Sequence, residues 1–261
     1  MLGIFDSGIG GLTVVKKVFE ILPDYQILYF GDTARTPYGG RGEKIIKQYA
    51  AEGINFLINQ GARIIIIACN TVSAVAFDDL KKKFSLPIFE VVKPVIEKAI
   101  KTTQNKKIGV VGTRATINSG VYEKLIKEIE PTIQIFSQAC PLLVPLVEEG
   151  WFKKIETKMI VKKYLQPLRL QQIDTLILAC THYPFLQKII QTKIGRQVKL
   201  VDPGEEVVLG VKNFLKQNPE IEKFLTKGDE HKFFVSDLTQ RISQIAEGWL
   251  GRKIEIEEVE I

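Results

Sequence analysis

Short apolar runs alternate along the chain with longer segments whose apolar residues recur at helical spacing. The clearest run is Ile64-Ile-Ile-Ile-Ala68, and Thr175-Leu-Ile-Leu-Ala179 has the same character. Runs this short, apolar on both faces, are typical of central strands in a parallel sheet that is covered by helices on both sides. Between such runs, the segment from Glu43 to Asn59 has the apolar spacing of a helix. The pattern therefore predicts an α/β protein.

The first part of the chain contains four predicted strand–helix pairs. The glycines between Asp6 and Gly11 predict a turn after the first strand. Because proline commonly stands in the first turn of a helix, Pro94 marks the start of the fourth helix. The predicted strands are Leu2–Phe5, Tyr25–Phe30, Ile64–Ala68 and Pro87–Val92, and the first three helices cover about Leu12 to Leu22, Glu43 to Asn59 and the residues up to about Phe84.

A similar series starts at Lys107. Its predicted elements are strands at Lys107–Thr113, Ile133–Phe136, Thr175–Ala179 and Val198–Val201, helices at 121–129 and 155–165, a loop from Cys140 to Gly150, and helices from about Glu205 to the C-terminus. The repetition predicts a pseudo-symmetric duplication, with two similar doubly wound parallel-sheet domains. Because open sheets of this kind bind ligands beyond the carboxyl ends of their strands, the active site is expected in the cleft between the domains.

The composition is that of a soluble globular protein. With 261 residues, the chain is long enough for one or two domains with a substantial core. Of these residues 45% are hydrophobic and 25% are charged, as is typical of globular proteins. No apolar run could span a bilayer, and Asp6 interrupts the N-terminus before a signal-peptide core could form. Three cysteines are too few, and odd in number, for a disulfide framework. We expect a cytoplasmic protein with free thiols and no membrane partner.

The net charge of +6 raises the question of a nucleic-acid partner. The lysines stand in small clusters, such as Lys81–Lys83 and Lys162–Lys163, on or beside predicted helices with acidic residues nearby. Such clusters are usually solvated helix faces. No nucleic-acid partner is expected, and the charge is compatible with an anionic small substrate.

The glycine turn after the first strand has two interpretations. Gly8-Ile-Gly10-Gly11 resembles a dinucleotide-binding fingerprint, and Asp32 stands near the ribose-binding position. However, Thr13 takes the place of the third glycine, and Asp6 would put a carboxylate near the pyrophosphate. Alternatively, the free N–H groups of the helix N-terminus bind a small carboxylate. Asp6 is then free to meet an amine or to act on a thiol.

Cys69 and Cys180 follow the two clearest apolar runs. A cysteine at the end of a buried strand is often a small apolar filler. Here the polar residues that follow, Asn70-Thr71 and Thr181-His182, favour a functional role at both places. Each thiol also precedes a predicted helix start, where backbone N–H groups would lower its pKa. The sequence therefore predicts a pair of proton-handling thiols, whereas Cys140 is expected in the core.

No metal site is expected. His182 stands two residues after Cys180, but His231 is the only other histidine, and no metal-binding spacing of cysteine or histidine occurs. His182 could be a satisfied core histidine. Glu148 and Glu149 could be plain surface acids, and only their place in the loop of the second series points to a function.

Six motifs stand out along the chain. They are Phe5-Asp-Ser-Gly-Ile-Gly-Gly-Leu12, Gly31-Asp-Thr-Ala-Arg-Thr-Pro-Tyr-Gly39, Ala68-Cys-Asn-Thr71, Gly112-Thr-Arg-Ala-Thr116, Cys140-Pro-Leu-Leu-Val-Pro-Leu-Val-Glu148 and Cys180-Thr-His-Tyr-Pro184. In order and spacing they resemble the motifs of bacterial glutamate racemases, within the aspartate/glutamate racemase family. The similarity runs nearly from end to end of the chain.

The resemblance implies an enzyme that interconverts L- and D-glutamate without a cofactor and supplies D-glutamate for peptidoglycan. It further implies a homodimer. Cys69 and Cys180 would be the acid/base residues on opposite faces of the substrate, assisted by Asp6, Glu148 and His182. The substrate would be held by Asp6, Ser7, Pro37, Tyr38, Gly39, Asn70, Thr71, Thr113, Thr116, Thr181 and His182. The family's chain course implies a first domain of residues 1–96 and 207–261 and a second of residues 97–206.

Overall fold

The computed structural model describes all 261 residues and contains two parallel sheets. The first four strands alternate with helices, as the apolar pattern predicts. These elements are β1 (Leu2–Asp6), α1 (Leu12–Ile21), β2 (Ile27–Gly31), α2 (Glu43–Asn59), β3 (Ile64–Ile67), α3 (Asn70–Lys83), β4 (Ile88–Glu90) and α4 (Val92–Thr102). Their strands lie side by side in the order β2-β1-β3-β4.

Strand β3 illustrates why this sheet is buried on both faces. Successive side chains of a strand point to opposite faces. Ile64 and Ile66 accordingly join the core that includes apolar residues of α1, whereas Ile65 and Ile67 join the core that includes residues of α2. All four isoleucines are fully buried. The uninterrupted isoleucine run is thus explained by helices on both sides, and the predicted doubly wound architecture is confirmed.

The second series repeats this arrangement. Its elements are β5 (Lys107–Gly112), α5 (Arg114–Asn118), α6 (Val121–Ile129), β6 (Gln134–Ala139), α7 (Leu143–Glu148), α8 (Ile155–Leu170), β7 (Thr175–Ala179), α9 (Gln187–Ile194), β8 (Lys199–Val201) and α10 (Pro203–Gln217). The strand order β6-β5-β7-β8 is the same as β2-β1-β3-β4, strand for strand along the chain. The predicted duplication is therefore confirmed.

The prediction of helices alone after Glu205 is wrong. The C-terminal part consists of α11 (Pro219–Glu222), β9 (Lys232–Val235), α12 (Gln240–Leu250) and β10 (Ile256–Glu258), and its two strands extend the first sheet to the order β10-β9-β2-β1-β3-β4. Phe233 and Phe234 are both buried, one in each core of that sheet. Burial of adjacent residues on opposite faces is typical of a strand, because successive side chains of a strand alternate between its two faces.

The loop predicted from Cys140 to Gly150 contains the short helix α7. Its apolar residues Leu143, Val144 and Val147 have helical spacing and are buried against the second core. The two prolines of this segment suggest a loop rather than a helix. However, Pro145 stands within the first turn of α7, where a proline is tolerated. The small helix α5 also lies in a segment for which no element is predicted.

The chain leaves the first sheet through α4 and returns to it through α10, which packs against α1 and α4. Val207, Val208 and Val211 of α10 belong to a core of the first sheet. The domain boundaries expected from the resemblance, residues 1–96 with 207–261 and residues 97–206, stay a prediction. None of the helices is long and apolar enough to cross a bilayer.

Candidate active site

A small pocket lies where the carboxyl ends of the two sheets meet. Its walls include the residues that follow β1, β3, β5 and β7, so equivalent strand ends of the two series face one another. The lining residues are Ser7, Thr36, Pro37, Tyr38, Gly39, Cys69, Asn70, Thr71, Thr113, Val144, Cys180, Thr181 and His182. Of the site residues predicted from the sequence, only Asp6, Thr116 and Glu148 are not in this wall. Each of the three is hydrogen-bonded to a residue that is.

Cys69 stands between β3 and α3 and is 5% exposed. Its sulfur lies 3.3 Å from the hydroxyl oxygen of Ser7. Burial, together with the charge of Asp6, raises the pKa of this thiol to about 12, although hydrogen bonds from Ser7 and the backbone of Val72 act in the opposite direction. The expectation that the helix start lowers the pKa of Cys69 is therefore wrong, because desolvation outweighs the helix terminus.

Cys180 occupies the equivalent place after β7. Its sulfur lies 3.9 Å from Nδ1 of His182, and Nε2 of the same ring lies 3.2 Å from Oε1 of Glu148. Burial opposes the charged form of His182, but the hydrogen bonds to Cys180 and Glu148 prevail and raise its pKa to about 10. The ring is thus a satisfied buried histidine that lies beside a thiol.

Asp6 is fully buried behind the glycine turn. Its carboxylate accepts hydrogen bonds from the N–H of Gly8 at 3.1 Å and from the hydroxyl of Thr181 at 3.4 Å. Burial raises its pKa despite the nearby charge of His182. The N–H of Gly8, ahead of α1, therefore binds this carboxylate, and the binding of a substrate carboxylate by the remaining donors of the helix N-terminus stays a prediction.

The dinucleotide interpretation of the turn fails on two further observations. Gly10 lies directly against Thr181 and His182 of the second series, which leaves no room for a pyrophosphate. Asp32, the expected ribose partner, is buried and accepts hydrogen bonds from Tyr38, from Nε of Arg35 at 2.7 Å and from the hydroxyl of Ser236 at 2.8 Å. Asp32 thus holds the Pro37-Tyr38-Gly39 segment in place.

Three threonine hydroxyls form a cluster in and behind the pocket wall. Oγ1 of Thr71 lies 2.9 Å from that of Thr113 and 3.2 Å from that of Thr116, and the latter two are 3.0 Å apart. Next to them, the amide oxygen of Asn70 accepts a hydrogen bond of 2.7 Å from Tyr122. The cluster joins the two series, and its hydroxyl and amide groups can bind a carboxylate.

Two residues of the site were not among those predicted from the sequence. Tyr122 of α6 reaches Asn70 and lies outside the six motifs, whereas Val144 of α7 lines the pocket and lies within the Cys140–Glu148 motif, where an apolar residue gives no sign of a function. The buried Cys140 lies in the core as expected, where burial raises its pKa. Nowhere in the chain do three or more histidine, cysteine, aspartate or glutamate side chains come together as a metal site would require.

The raised pKa of His182 predicts that alkali destabilises the protein. In the unfolded chain the ring loses its proton near pH 6.5, whereas the folded state holds it to about pH 10. Between these values the folded state binds more protons, so the free energy of unfolding falls as the pH rises. Urea unfolding should show a steeper fall for the wild type than for His182→Asn, by at most about 1.4 kcal/mol per pH unit. Parallel curves for the two proteins would contradict this assignment.

Comparison with known proteins gives a consistent result. A model of the Asp/Glu/hydantoin racemase family matches residues 12–209. The glutamate racemase of Geobacter metallireducens is 40% identical over 253 residues, which make up 97% of this chain and 93% of the relative. The solved structure of a glutamate racemase from Bacillus anthracis superimposes with a TM-score of 0.94 at 35% identity, and covers 100% of this chain and 97% of its own. The Francisella tularensis glutamate racemase, solved in complex with D-glutamate, gives a TM-score of 0.91 at 36% identity, with coverages of 99% and 97%.

Proposed function

The chain belongs to the glutamate racemases of the Asp/Glu/hydantoin racemase family, and we propose that it interconverts L- and D-glutamate by exchanging the α-hydron between two thiols. The observation that carries this mechanism is the position of Cys69 and Cys180 at equivalent strand ends, on the walls of one pocket. Inversion of an α-carbon requires a base on one face and an acid on the other. A duplicated strand end supplies one such group from each side.

Each turnover begins with one thiolate and one thiol. From L-glutamate, the Cys180 thiolate takes the α-hydron, and the Cys69 thiol delivers its hydron to the opposite face of the same carbon. The carbon–hydrogen bond that breaks leaves its electron pair on the substrate, and the new bond uses that pair. Cys180 ends as a thiol and Cys69 as a thiolate, so the reverse reaction from D-glutamate starts from the state that the forward reaction leaves.

The helper groups differ on the two sides. A protonated His182, held by Glu148, gives the Cys180 thiolate a positive neighbour and exchanges a proton with it. The pKa of Cys69 is raised to about 12 by burial and by the charge of Asp6, so this residue rests as a thiol. In the reverse direction Asp6 takes the proton from Cys69, and its own raised pKa makes it a better base than an exposed carboxylate.

The substrate carboxylates are held by neutral donors on both walls. The amide of Asn70 and the hydroxyls of Thr71 and Thr113 contribute from one side, Ser7 and the backbone at Tyr38 and Gly39 from another. The other proposed binding residues act differently: Thr116 and Thr181 offer hydroxyl groups, the protonated His182 offers a cationic donor, the carboxylate of Asp6 can accept from the substrate ammonium group, and Pro37 shapes the wall. Donors aimed at a carboxylate stabilise the charge that develops as the α-hydron leaves, which is the main difficulty without an electron-accepting cofactor. Alignment of the thiols with the α-carbon supplies much of the rest.

We further propose that the reaction needs no cofactor, that its D-glutamate enters peptidoglycan, and that the enzyme is a cytoplasmic homodimer. In this proposal residues 1–96 and 207–261 form one domain, and residues 97–206 form the other. The domains would close on the substrate and exclude water, which strengthens every electrostatic contact within the pocket.

Incubation with L-glutamate in deuterated water, without added cofactor, tests the proposed reaction. The D-glutamate formed should carry deuterium at the α-carbon, because the donor thiol exchanges with solvent. Chirality and deuterium content are read together by chiral chromatography with mass detection. Racemisation that depends on an added cofactor, or a D-product without deuterium, would refute the thiol mechanism. A parallel incubation with L-aspartate tests the specificity for glutamate.

Replacing Gly10 by alanine should impair catalysis without unfolding the protein. A Cβ at this position would lie 2.5 Å from Cε1 of His182, so the glycine turn and the Cys180 side would have to separate. Since a misplacement of about 1 Å can cost ~10²-fold in rate, kcat/KM should fall by that order. Gly42→Ala is the matched control, because a Cβ there meets no atom within 4 Å. Equal activities of the two variants would show that this contact is not needed.

A further inference from the structure

We infer that Arg241 is a positioning residue for the Cys180 side of the site, because it fixes Glu148 from outside the pocket. This inference rests on the proposed function of Glu148 and His182 but adds a residue to it. Arg241 stands in α12, between the two C-terminal strands that extend the first sheet. Glu148 belongs to α7 of the second series, and the contact joins residues 93 positions apart.

The contact acts on the backbone of Glu148. Nε of Arg241 donates to the carbonyl oxygen of Glu148 at 2.9 Å, and a second guanidinium nitrogen lies 3.0 Å from Oε2 of Glu149. Glu148 is the last residue of α7, so its carbonyl has no partner within the helix. A cationic donor is favourable at such a helix end. Holding this carbonyl fixes the direction in which the Glu148 side chain leaves the backbone, toward Nε2 of His182.

The position of Arg241 in its own helix supports a role outside that helix. It is the second residue of α12, whose start is capped by the Thr239 hydroxyl. A cation in the first turn is unfavourable for the helix itself, because the macrodipole is positive there. The ion pair with Glu149 is exposed, at 48% and 57% of the side chains, and contributes little. The oriented bond to the Glu148 carbonyl is therefore the contact that carries the inference.

The other end of α12 contacts the same region. Trp249 stacks on Phe185 with ring centres 3.6 Å apart, and its edge-on contact with His182 has a centroid distance of 6.3 Å. Arg241 and Trp249 thus hold Glu148 and the segment after Cys180 from one helix. Helix α12 lies in the chain between β9 and β10, two strands of the first sheet. Its contacts therefore link the position of the first sheet to the geometry of the His182–Glu148 pair.

The test uses the two histidines of the chain, His182 and His231, as reporters. With ¹⁵N-histidine labelling, NMR follows the titration of each ring. The titratable groups around His182 are Glu148, Asp6 and Cys180. Arg241→Met should let Glu148 move away and lower the pKa of His182, while His231 keeps its value. The same variant should lower kcat from L-glutamate by about tenfold, and kcat from D-glutamate by less.

Two control variants separate positioning from general effects. Arg252→Met removes a cation from the neighbouring segment, whose charge lowers the pKa of His231, so this variant should raise the pKa of His231 and leave His182 unchanged. Glu149→Gln removes the exposed ion pair alone, and it should change neither the pKa of the two histidines nor kcat. Arg241→Lys keeps the charge but loses the forked geometry of the guanidinium group. Its pKa of His182 and its kcat from L-glutamate should lie between those of the wild type and of Arg241→Met.

An unchanged His182 titration in folded Arg241→Met would overturn the inference, and so would equal losses of kcat from the two enantiomers. If Arg241→Met does not fold, Arg241→Lys decides by the same two measurements. The titration needs no turnover. Absence of racemisation by the wild type would therefore refute the proposed function and leave the role of Arg241 to be decided by the NMR result.

Discussion

Replacing either Cys69 or Cys180 by serine should lower kcat for racemisation by at least about 10³-fold in both directions. The substitution changes one atom in each buried site, so the fold should survive. A hydroxyl is a far weaker acid than a thiol, and it cannot supply the anion that one half of the reaction requires. Because every turnover uses both groups, one as base and one as acid, loss of either stops both directions.

The matched control is Cys140→Ala. Cys140 is fully buried in the core of the second sheet, and its sulfur contacts only the backbone carbonyl of Gln138 among hydrogen-bonding groups, at 3.5 Å. This variant should retain kcat, with at most a loss of stability. Circular dichroism and denaturant unfolding establish that all three variants are folded. A Cys69→Ser or Cys180→Ser enzyme with more than a tenth of wild-type activity would exclude the two-thiol mechanism.

Much of the fold could be predicted because burial on both faces leaves a distinct sequence pattern. The isoleucines of β3 and the aliphatic run of β7 have no alternation, which only a strand covered on both sides explains. The repeat of the same run after a similar series of elements predicts the duplication. By contrast, β10 has a partly exposed Ile256 followed by two exposed glutamates. Its position as an edge strand depends on pairing with β9, which no local pattern reveals.

The site could be predicted only in part, and mainly through the motifs. Residues next to strand ends, such as Asn70 and Thr181, are visible because polar side chains interrupt apolar runs. The contacts of Tyr122 with Asn70 and of Arg241 with Glu148 join elements far apart in the sequence, and only the packing of helices brings them together. The sequence predicts a lowered pKa for Cys69, which is wrong because this pKa depends on the depth of burial and on the nearby Asp6.

Replacing the two helpers should slow the two directions unequally. His182→Asn removes the proton carrier beside Cys180 and should lower kcat from L-glutamate by about 10²-fold or more, with a smaller effect from D-glutamate. Asp6→Asn removes the carboxylate that serves Cys69, so it should lower kcat from D-glutamate more than kcat from L-glutamate. Both variants keep the size of the original side chain or reduce it, so the closed pocket can still form. Initial rates from each pure enantiomer measure the effect.

Thermodynamics restricts where this asymmetry can appear. The equilibrium constant between enantiomers is one, and a catalyst cannot change it, so kcat/KM must remain equal in the two directions for every variant. A helper that serves one thiol therefore changes kcat and KM together in its own direction. It should also raise the primary isotope effect measured with the α-deuterated enantiomer whose hydron that thiol removes, because proton transfer then limits the rate. Equal changes of kcat from both enantiomers, in both variants, would show that Asp6 and His182 act on the pocket as a whole, and the two thiols alone would then account for the difference between the faces.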